Sequence, residues 1–435
     1  MTEVRFEPAG PLRGSLIPPP DKSISHRAAL IGAMSEGETR IGAYLDAGDT
    51  RSTLAAVRAL GARVDVEPQP GPQGAGGRRV VIRGPGLRGP SSAEIDVGNA
   101  GTLLRILPGW LAGVEAGTWT LDGDDSIRRR PVDRVAEPLR RMGARVECRD
   151  ERLPPLRVAG ARLSGITHAM PVASAQVKSC VLLAGLLAAG ETTVSEPAPS
   201  RDHTERMLAA AGAEVRANDG GIAVSETETL ELESVEVPGD FSSAAFPLLA
   251  ALLVPGSEIE LVGVGLNPTR TGLLRILRRM GAELEFEEGR PAGGEPRGTI
   301  RARASALAAT EVGGEDVPLA IDELPLVALA GCFAEGETVI RDAAELRHKE
   351  SDRIAAVCAA LAAIGGEAEP TADGMVVRGG GGLRGGSVDA GGDHRLAMLG
   401  AVAGLVSREG VSVRGFEAAE VSYPGFEPDL RSLVN

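Results

Sequence analysis

Three stretches decide how this chain folds: AALIGAMSEGETRI at residues 28–41, LLAGLLAAGETTV at 182–194 and LVALAGCFAEGETVI at 326–340. Each runs from an apolar segment to a glycine, then an acidic residue, then a β-branched stretch. That order reads as a buried helix, a glycine stop and a strand. The closing glycine recurs as Gly37, Gly117, Gly190, Gly256, Gly336 and Gly410, at intervals of 66 to 80 residues. Between these lies a second recurrence, an amphipathic helix closed by Gly-Ala or Gly-Gly before another strand. It appears as LAAVRALGARVDV (54–66), RVAEPLRRMGARVEC (134–148), RMLAAAGAEVRA (206–217), LLRILRRMGAELEF (273–286) and IAAVCAALAAIGGEAE (354–369). Repetition at a fixed period marks a repeat architecture.

Outward from these stretches the chain divides into about six units, each with two helices and several strands, a mixed α/β organisation. One helix per unit is apolar nearly all round and must be enclosed by protein; the other carries Arg and Glu on one face and can border water. Six units make two domains of three, and 435 residues suit two cores. The crossing is expected near Pro238–Gly239, with residues 21–238 in one domain and 1–20 plus 239–435 in the other. The opening VRFEPAGPLRGSLIPPP (4–20) is expected to pair as a strand with the last unit, so that the chain crosses twice. Ligands favour such inter-domain clefts.

Composition narrows the function classes. Hydrophobic residues are 43%, enough for large cores, but aromatics are 3%, so Ala, Leu, Val and Ile must fill them. A net charge of −14 with no basic stripe argues against a nucleic-acid surface. No apolar run reaches membrane-spanning length and no leader precedes the first motif, so a cytoplasmic protein is expected. The cysteines Cys148, Cys180, Cys332 and Cys358 read as reduced thiols, and the histidines show no metal-ligand spacing. No metal or cofactor is expected.

Of 46 basic residues only three are lysines, Lys22, Lys178 and Lys349, each in a polar segment that opens a helix. A compact ammonium grips phosphate as a point charge and can transfer a proton, which a guanidinium does not do. DKSISHR (21–27) offers Lys22, Ser23 and Arg27 at a helix start, a dianion site. GNAGTLLR (98–105) lets backbone approach a ligand at Gly101, and in SIRRRPVDR (126–134) the rigid Pro131 fixes Arg130. PVASAQVKS (171–179) adds Ser174 and Gln176, and PSRDHTER (199–206) adds Arg201 and His203. In the second half AIDELP (320–325) places Asp322 and Glu323 at a helix head. LRHKESDR (346–353) supplies Lys349, Glu350 and Arg353, and GGDHRLAM (391–398) supplies Asp393, His394 and Arg395. Hydroxyls, amides and cations dominate the first half; the second mixes cations with acids able to move protons. Ordinary capping and dipole pairing remain the alternative for each motif taken alone.

Taken together and in order, DKSISHR, GNAGTLLR, RRRPVDR, ASAQVKS, SRDHTER, PGDFSSAAFP, NPTRTG, IDELP, LRHKESDR, DHRLAM and VSYPGF resemble the 5-enolpyruvylshikimate-3-phosphate synthase family over essentially the whole chain. The resemblance implies two domains of three βαβαββ repeats, with helices enclosed by sheets as in an inside-out barrel. It implies transfer of the enolpyruvyl group of phosphoenolpyruvate to shikimate 3-phosphate, a step toward chorismate and the aromatic amino acids, by a monomer. Lys22, Ser23, Arg27, Ser174, Gln176, Arg201, Asp322 and Lys349 would bind shikimate 3-phosphate. Lys22, Gly101, Arg130, Gln176, Arg353 and Arg395 would bind phosphoenolpyruvate. Asp322, Glu350 and Lys22 would handle protons. Some family members carry a serine where Ala175 stands and a lysine where Val421 stands, so those contacts are not carried over. Glyphosate occupies the phosphoenolpyruvate site in this family, and Gly101 is the glycine form of the position.

Other readings fare worse. The UDP-N-acetylglucosamine enolpyruvyl transferases place a cysteine in the loop before the Arg-Pro pair, whereas this loop reads DGDDSIRRRP (122–131). The RNA 3′-phosphate cyclases need a nucleotide-accepting histidine and a nucleic-acid face. A non-catalytic phosphometabolite-binding protein would have no need of Asp322, Glu350 and Lys22 together.

Overall fold

A computed structural model describes residues 2–68, 77–218, 220–291 and 293–434. The helices are α1 (Lys22–Met34), α2 (Gly48–Ala59), α3 (Gly101–Ala112), α4 (Asp133–Met142), α5 (Ala175–Gly185), α6 (His203–Ala210), α7 (Phe241–Leu253), α8 (Gly272–Arg279), α9 (Asp316–Ala320), α10 (Leu324–Gly331), α11 (Arg353–Ala363), α12 (His394–Val406) and α13 (Phe426–Ser432). The apolar members, α1, α3, α5, α7, α10 and α12, are buried over nearly their whole length. Side chains that are apolar on every face leave no stripe to point at water. The Arg-bearing α4 and α8 bury only one side. Gly143 ends α4 in the left-handed region (φ 116°), its N–H bonding back to the carbonyls of Arg140 and Leu139.

Each unit closes on a small sheet. In the second unit Ala93–Asp96 runs parallel to Thr118–Asp122, which pairs antiparallel with Leu153–Ala159, itself paired with Arg145–Arg149. The third and fifth units repeat that order with Thr167–Ala169 and Glu311–Val312 as their parallel strands. The first unit instead borrows its parallel strand, Ser234–Glu236, from the far end of its half, so three units close into a ring. The amino-terminal segment closes the other half in a way the sequence reading captured only in part. Glu3–Phe6 pairs with Val411–Arg414 of the last unit, as expected. Arg13–Leu16 goes further and lies parallel to Glu258–Gly265 of the fourth unit. Proline and glycine between these strands let one short segment turn from the last unit to the fourth.

Buried apolar side chains form two clusters, one within residues 24–237 and one drawn from residues 6–16 and 241–433. The two passages between them lie side by side: Asp21 N–H donates to Pro238 O at 2.8 Å and Asp240 N–H to Pro19 O at 2.7 Å. The four cysteines are unbonded; Cys180, Cys332 and Cys358 are buried and Cys148 half-buried. Among the described residues no helix is long and apolar enough to cross a membrane.

Candidate active site

Between the two clusters opens a cavity of roughly 360 Å³, lined by nine Lys and Arg side chains against six Asp and Glu. The surplus is local, since the chain as a whole is acidic. Helix N-termini converge on it. Asp21 caps α1 by accepting from Ile24 N–H, Ser174 caps α5 through Val177 N–H, and Asp240 and Asp393 cap α7 and α12. Among the described residues no side chain caps α3. Gly101 and Thr102 of its first turn line the cavity, and although the Gly101 N–H donates to Asn99 O at 2.9 Å, the helix dipole favours an anion at this end.

The first wall comes from α1, α3, α5 and the loops before α4 and α6. Lys22 Nζ lies 3.2 Å from Asp49 Oδ2, and Ser23 stands beside it on the wall. Arg27 does not line the cavity. Its Nε donates to Thr204 Oγ1 at 2.7 Å, and its other nitrogens to Ser179 Oγ and Ser23 O at 3.0 Å. One helical turn carries a side chain about 5.4 Å along the axis, and here that is deeper into the protein. Gln176 is held at both ends, donating to Thr102 Oγ1 at 3.1 Å and accepting from Arg105 Nη1 at 3.0 Å. Arg130 donates to Asn99 Oδ1 and Ser126 Oγ, and its Nη1 is 3.5 Å from Glu350. A Cβ on Gly101 would sit 2.7 Å from Arg130 Nη1, so the glycine makes room for the guanidinium. Ser174 lines the wall as well as capping α5.

The second wall gathers its charges around two carboxylates. Asp322 is ion-paired with Arg201 from the opposite wall and lies 3.4 Å from Lys349 Nζ, 3.4 Å from Arg353 Nη1 and 3.8 Å from Arg395 Nη2. Arg395 also donates to the Asp322 carbonyl at 2.9 Å. Arg353 is 1% exposed and donates to Asp393 at 2.9 Å and to Glu350 at 2.5 Å. Burial alone would raise both acids. For Asp322 it is outweighed by Lys349, Arg395, Arg201 and Arg353, which hold the carboxyl well below the usual range. For Glu350 the opposing charges are Arg353, Arg130 and Lys22, with the same result. Burial pushes His394 down to about 3, helped by Lys22, so the imidazole is neutral at pH 7. Neighbouring Glu323 goes the other way, raised by burial despite Arg270 and Arg395.

Of the residues that the resemblance assigns to substrates or protons, all but Arg27 line one cavity: Lys22, Ser23, Gly101, Arg130, Ser174, Gln176, Arg201, Asp322, Lys349, Glu350, Arg353 and Arg395. The candidates His203, Glu323 and Asp393 do not line it. Lys178 is buried away from it, between Glu196 and Glu205. Val421 does not line it either. The sequence reading missed Asp49, which sits in the first turn of α2, where an acid reads as a dipole complement. It also missed what Arg105 does for Gln176; Arg134, read as a contact for solvent or an acidic neighbour, meets one, reaching across the cleft to Glu345 at 2.9 Å.

The model of the family EPSP synthase (3-phosphoshikimate 1-carboxyvinyltransferase) matches residues 6–430. Curated relatives named 3-phosphoshikimate 1-carboxyvinyltransferase include one from Anaeromyxobacter sp. (strain Fw109-5), 51% identical over 96% of this chain and 95% of its own. Another, from Thermus thermophilus, is 49% identical over 100% of this chain and 99% of its own. Among solved structures, EPSP synthase from Acinetobacter baumannii superposes with a TM-score of 0.86 at 39% identity, covering 100% of this chain and 98% of that one. An enolpyruvyl transferase from Streptomyces tendae shares the fold at 19% identity and a TM-score of 0.80, over 99% and 96% of the two chains. With that match across the whole chain and the site residues gathered in one cleft, the chain belongs to the EPSP synthase family.

Proposed function

We propose that this enzyme transfers the enolpyruvyl group of phosphoenolpyruvate to the 5-hydroxyl of shikimate 3-phosphate and releases phosphate. The observation that carries the reading is the pairing of walls. Cations and neutral donors on one side face two carboxylates on the other, within one cationic cavity of a chain whose net charge is −14. Residues 21–238 would form the half that grips shikimate 3-phosphate; residues 1–20 and 239–435 would supply the acids. Lys22, Ser23, Ser174, Gln176, Arg201 and Lys349 would hold shikimate 3-phosphate, with Arg27 bracing Ser23 from behind. Lys22, Gly101, Arg130, Gln176, Arg353 and Arg395 would hold phosphoenolpyruvate.

In this scheme Asp322 accepts the 5-hydroxyl proton as the oxygen bonds to C2 of phosphoenolpyruvate. Glu350, once protonated, or Lys22 delivers a proton to the methylene carbon, which becomes a methyl. The tetrahedral adduct then loses a methyl proton and phosphate, restoring the double bond. The guanidinium groups stabilise charge on the phosphate as it leaves. Bound anions would draw Lys349 and the arginines off Asp322, raising its proton affinity when a base is needed. No metal or organic cofactor enters the scheme. A cytoplasmic monomer completes the reading, and light scattering on the purified protein checks its mass. The UDP-sugar and non-catalytic alternatives have no observation in their favour. Phosphate release measured with both substrates, each omitted in turn, tests the function. Release should require both, and release without shikimate 3-phosphate, or none with the pair, overturns the proposal.

A further inference from the structure

The third lysine has no part in the scheme above, although it stands in the same helix as Ser174 and Gln176. Successive helix residues turn by about 100°, so Lys178 points about 200° away from Gln176, into the protein. There its Nζ lies 2.8 Å from Glu196 Oε1, 2.8 Å from Glu205 Oε1 and 3.3 Å from Ser200 O, at 2% exposure. Two hydrogen-bond acceptors, Glu196 Oε1 and Ser200 O, with the Glu205 carboxylate as an ion-pair neighbour, suit a compact ammonium, whereas a planar guanidinium would spread its donors over a fork. A buried ion cluster is a poor source of stability, because removing charges from water costs about what their attraction returns. Its value has to be sought in what it fixes.

What it fixes is Ser200. Glu196 Oε1 accepts from Ser200 N–H at 2.8 Å, and its Oε2 accepts from Ser200 Oγ at 2.6 Å. Lys178 takes the remaining polar atom, the carbonyl oxygen of the Ser200–Arg201 peptide itself. The next side chain is Arg201, which leaves this anchored peptide and reaches Asp322 on the opposite wall. On the far side of the cluster, Glu205 adjoins Thr204, the residue that accepts from Arg27. We infer that Lys178 is a positioning residue for the shikimate 3-phosphate subsite: through Glu196 and Ser200 it sets where Arg201 enters the cavity, and it locks that loop to the helix carrying Ser174 and Gln176. The inference rests on the proposed role of Arg201 in substrate binding.

Steady-state phosphate release, with each substrate varied in turn, tests it in Lys178→Met, Arg201→Met and the double variant. Lys178→Met leaves two acids facing each other and can fail to fold. Lys178→Met/Glu205→Gln keeps the cluster's net charge unchanged and carries the test in that event. KM for shikimate 3-phosphate should rise about ten-fold while KM for phosphoenolpyruvate stays within about two-fold. In the Arg201→Met background the same cluster change should add little, because the group it positions is gone. Equal rises in both KM values, a lowered melting temperature with unchanged KM values, or full additivity with Arg201→Met each overturns the inference. An Arg201→Met enzyme with normal KM for shikimate 3-phosphate removes the role of Arg201 and the inference with it. Absence of release in the wild type would instead strike at the function.

Discussion

The two walls of the cavity carry similar cations but treat them differently. On the first wall Lys22 meets a single carboxylate, Asp49, and Arg105 donates to the amide oxygen of Gln176 and the carbonyl of Pro131. On the second, Asp322 alone draws Lys349, Arg353 and Arg395, and Arg201 from across the cleft. Arg105, held only by neutral acceptors, is available to a phosphate, while Lys22, Arg130, Arg134 and Arg201 each meet a single carboxylate that a dianion can displace. A carboxylate surrounded by four cations is a weak base, so the second wall stays chemically quiet until an anionic ligand competes for those cations. The cross-cleft pairs Arg201–Asp322 and Arg134–Glu345 also occupy, within the protein, charges that substrate anions would otherwise engage.

Asp322→Asn removes the carboxylate at the centre of the second wall. The amide keeps a hydrogen-bonding oxygen but cannot accept the proton at neutral pH, so turnover should fall by about 10³-fold. Shikimate 3-phosphate binding should survive and tighten, since the cations around residue 322 lose their internal partner. Calorimetry and phosphate release read the two effects separately. Loss of binding would make Asp322 structural; near-normal release would remove it from the mechanism.

A smaller effect concerns stability. A carboxyl whose folded pKa lies below its unfolded value, near 4, leaves the folded state with fewer bound protons than the unfolded chain. Its stabilisation is fully present above pH 4 and is lost as pH falls toward the folded value. Asp322 has the depressed pKa, and the amide that replaces it in Asp322→Asn does not titrate. The gap in melting temperature between wild type and Asp322→Asn should therefore shrink below about pH 4. His26 and His394, both pushed down to about 3, act in both proteins alike and erode stability from about pH 6.5 downward. A gap independent of pH would show that the four cations do not hold Asp322 ionised.

Much of this was legible in the sequence, for identifiable reasons. The buried helices announced themselves by lacking a polar face, and the helix-opening motifs put Lys22, Gly101, Ser174, Glu350 and Arg395 at termini that do converge. What tertiary adjacency decides was not legible. Asp49 lies 27 residues after Lys22 and is its ion-pair partner, yet nothing local distinguishes it from a first-turn acid. Arg27 is one turn beyond Ser23, but the helix runs inward, so shared face did not mean shared cavity. Lys178 stands about half a turn round the helix from Gln176, but only tertiary packing shows it buried between Glu196 and Glu205.

The last and smallest effect tests the first wall at its tightest point. A methyl on Gly101 would meet Arg130 Nη1 at 2.7 Å and reach only 3.8 Å from Cδ and Cζ, so the far end of that arginine must move. The guanidinium is tethered to Asn99, Ser126 and Glu350, which limits how it can yield. Under the proposed function both phosphoenolpyruvate and glyphosate lean on Arg130, so Gly101→Ala should weaken each. Glyphosate is longer and needs the space beside Gly101 more, so its loss should exceed that of the substrate by ~1–3 kcal/mol. Competitive inhibition against phosphoenolpyruvate, measured for wild type and Gly101→Ala, gives both numbers. The wild type should be sensitive, and the alanine enzyme should show a raised KM for phosphoenolpyruvate and a larger rise in the inhibition constant. An insensitive wild type, or equal losses for both ligands, would mean that the space at Gly101 serves Arg130 alone and does not discriminate between ligands.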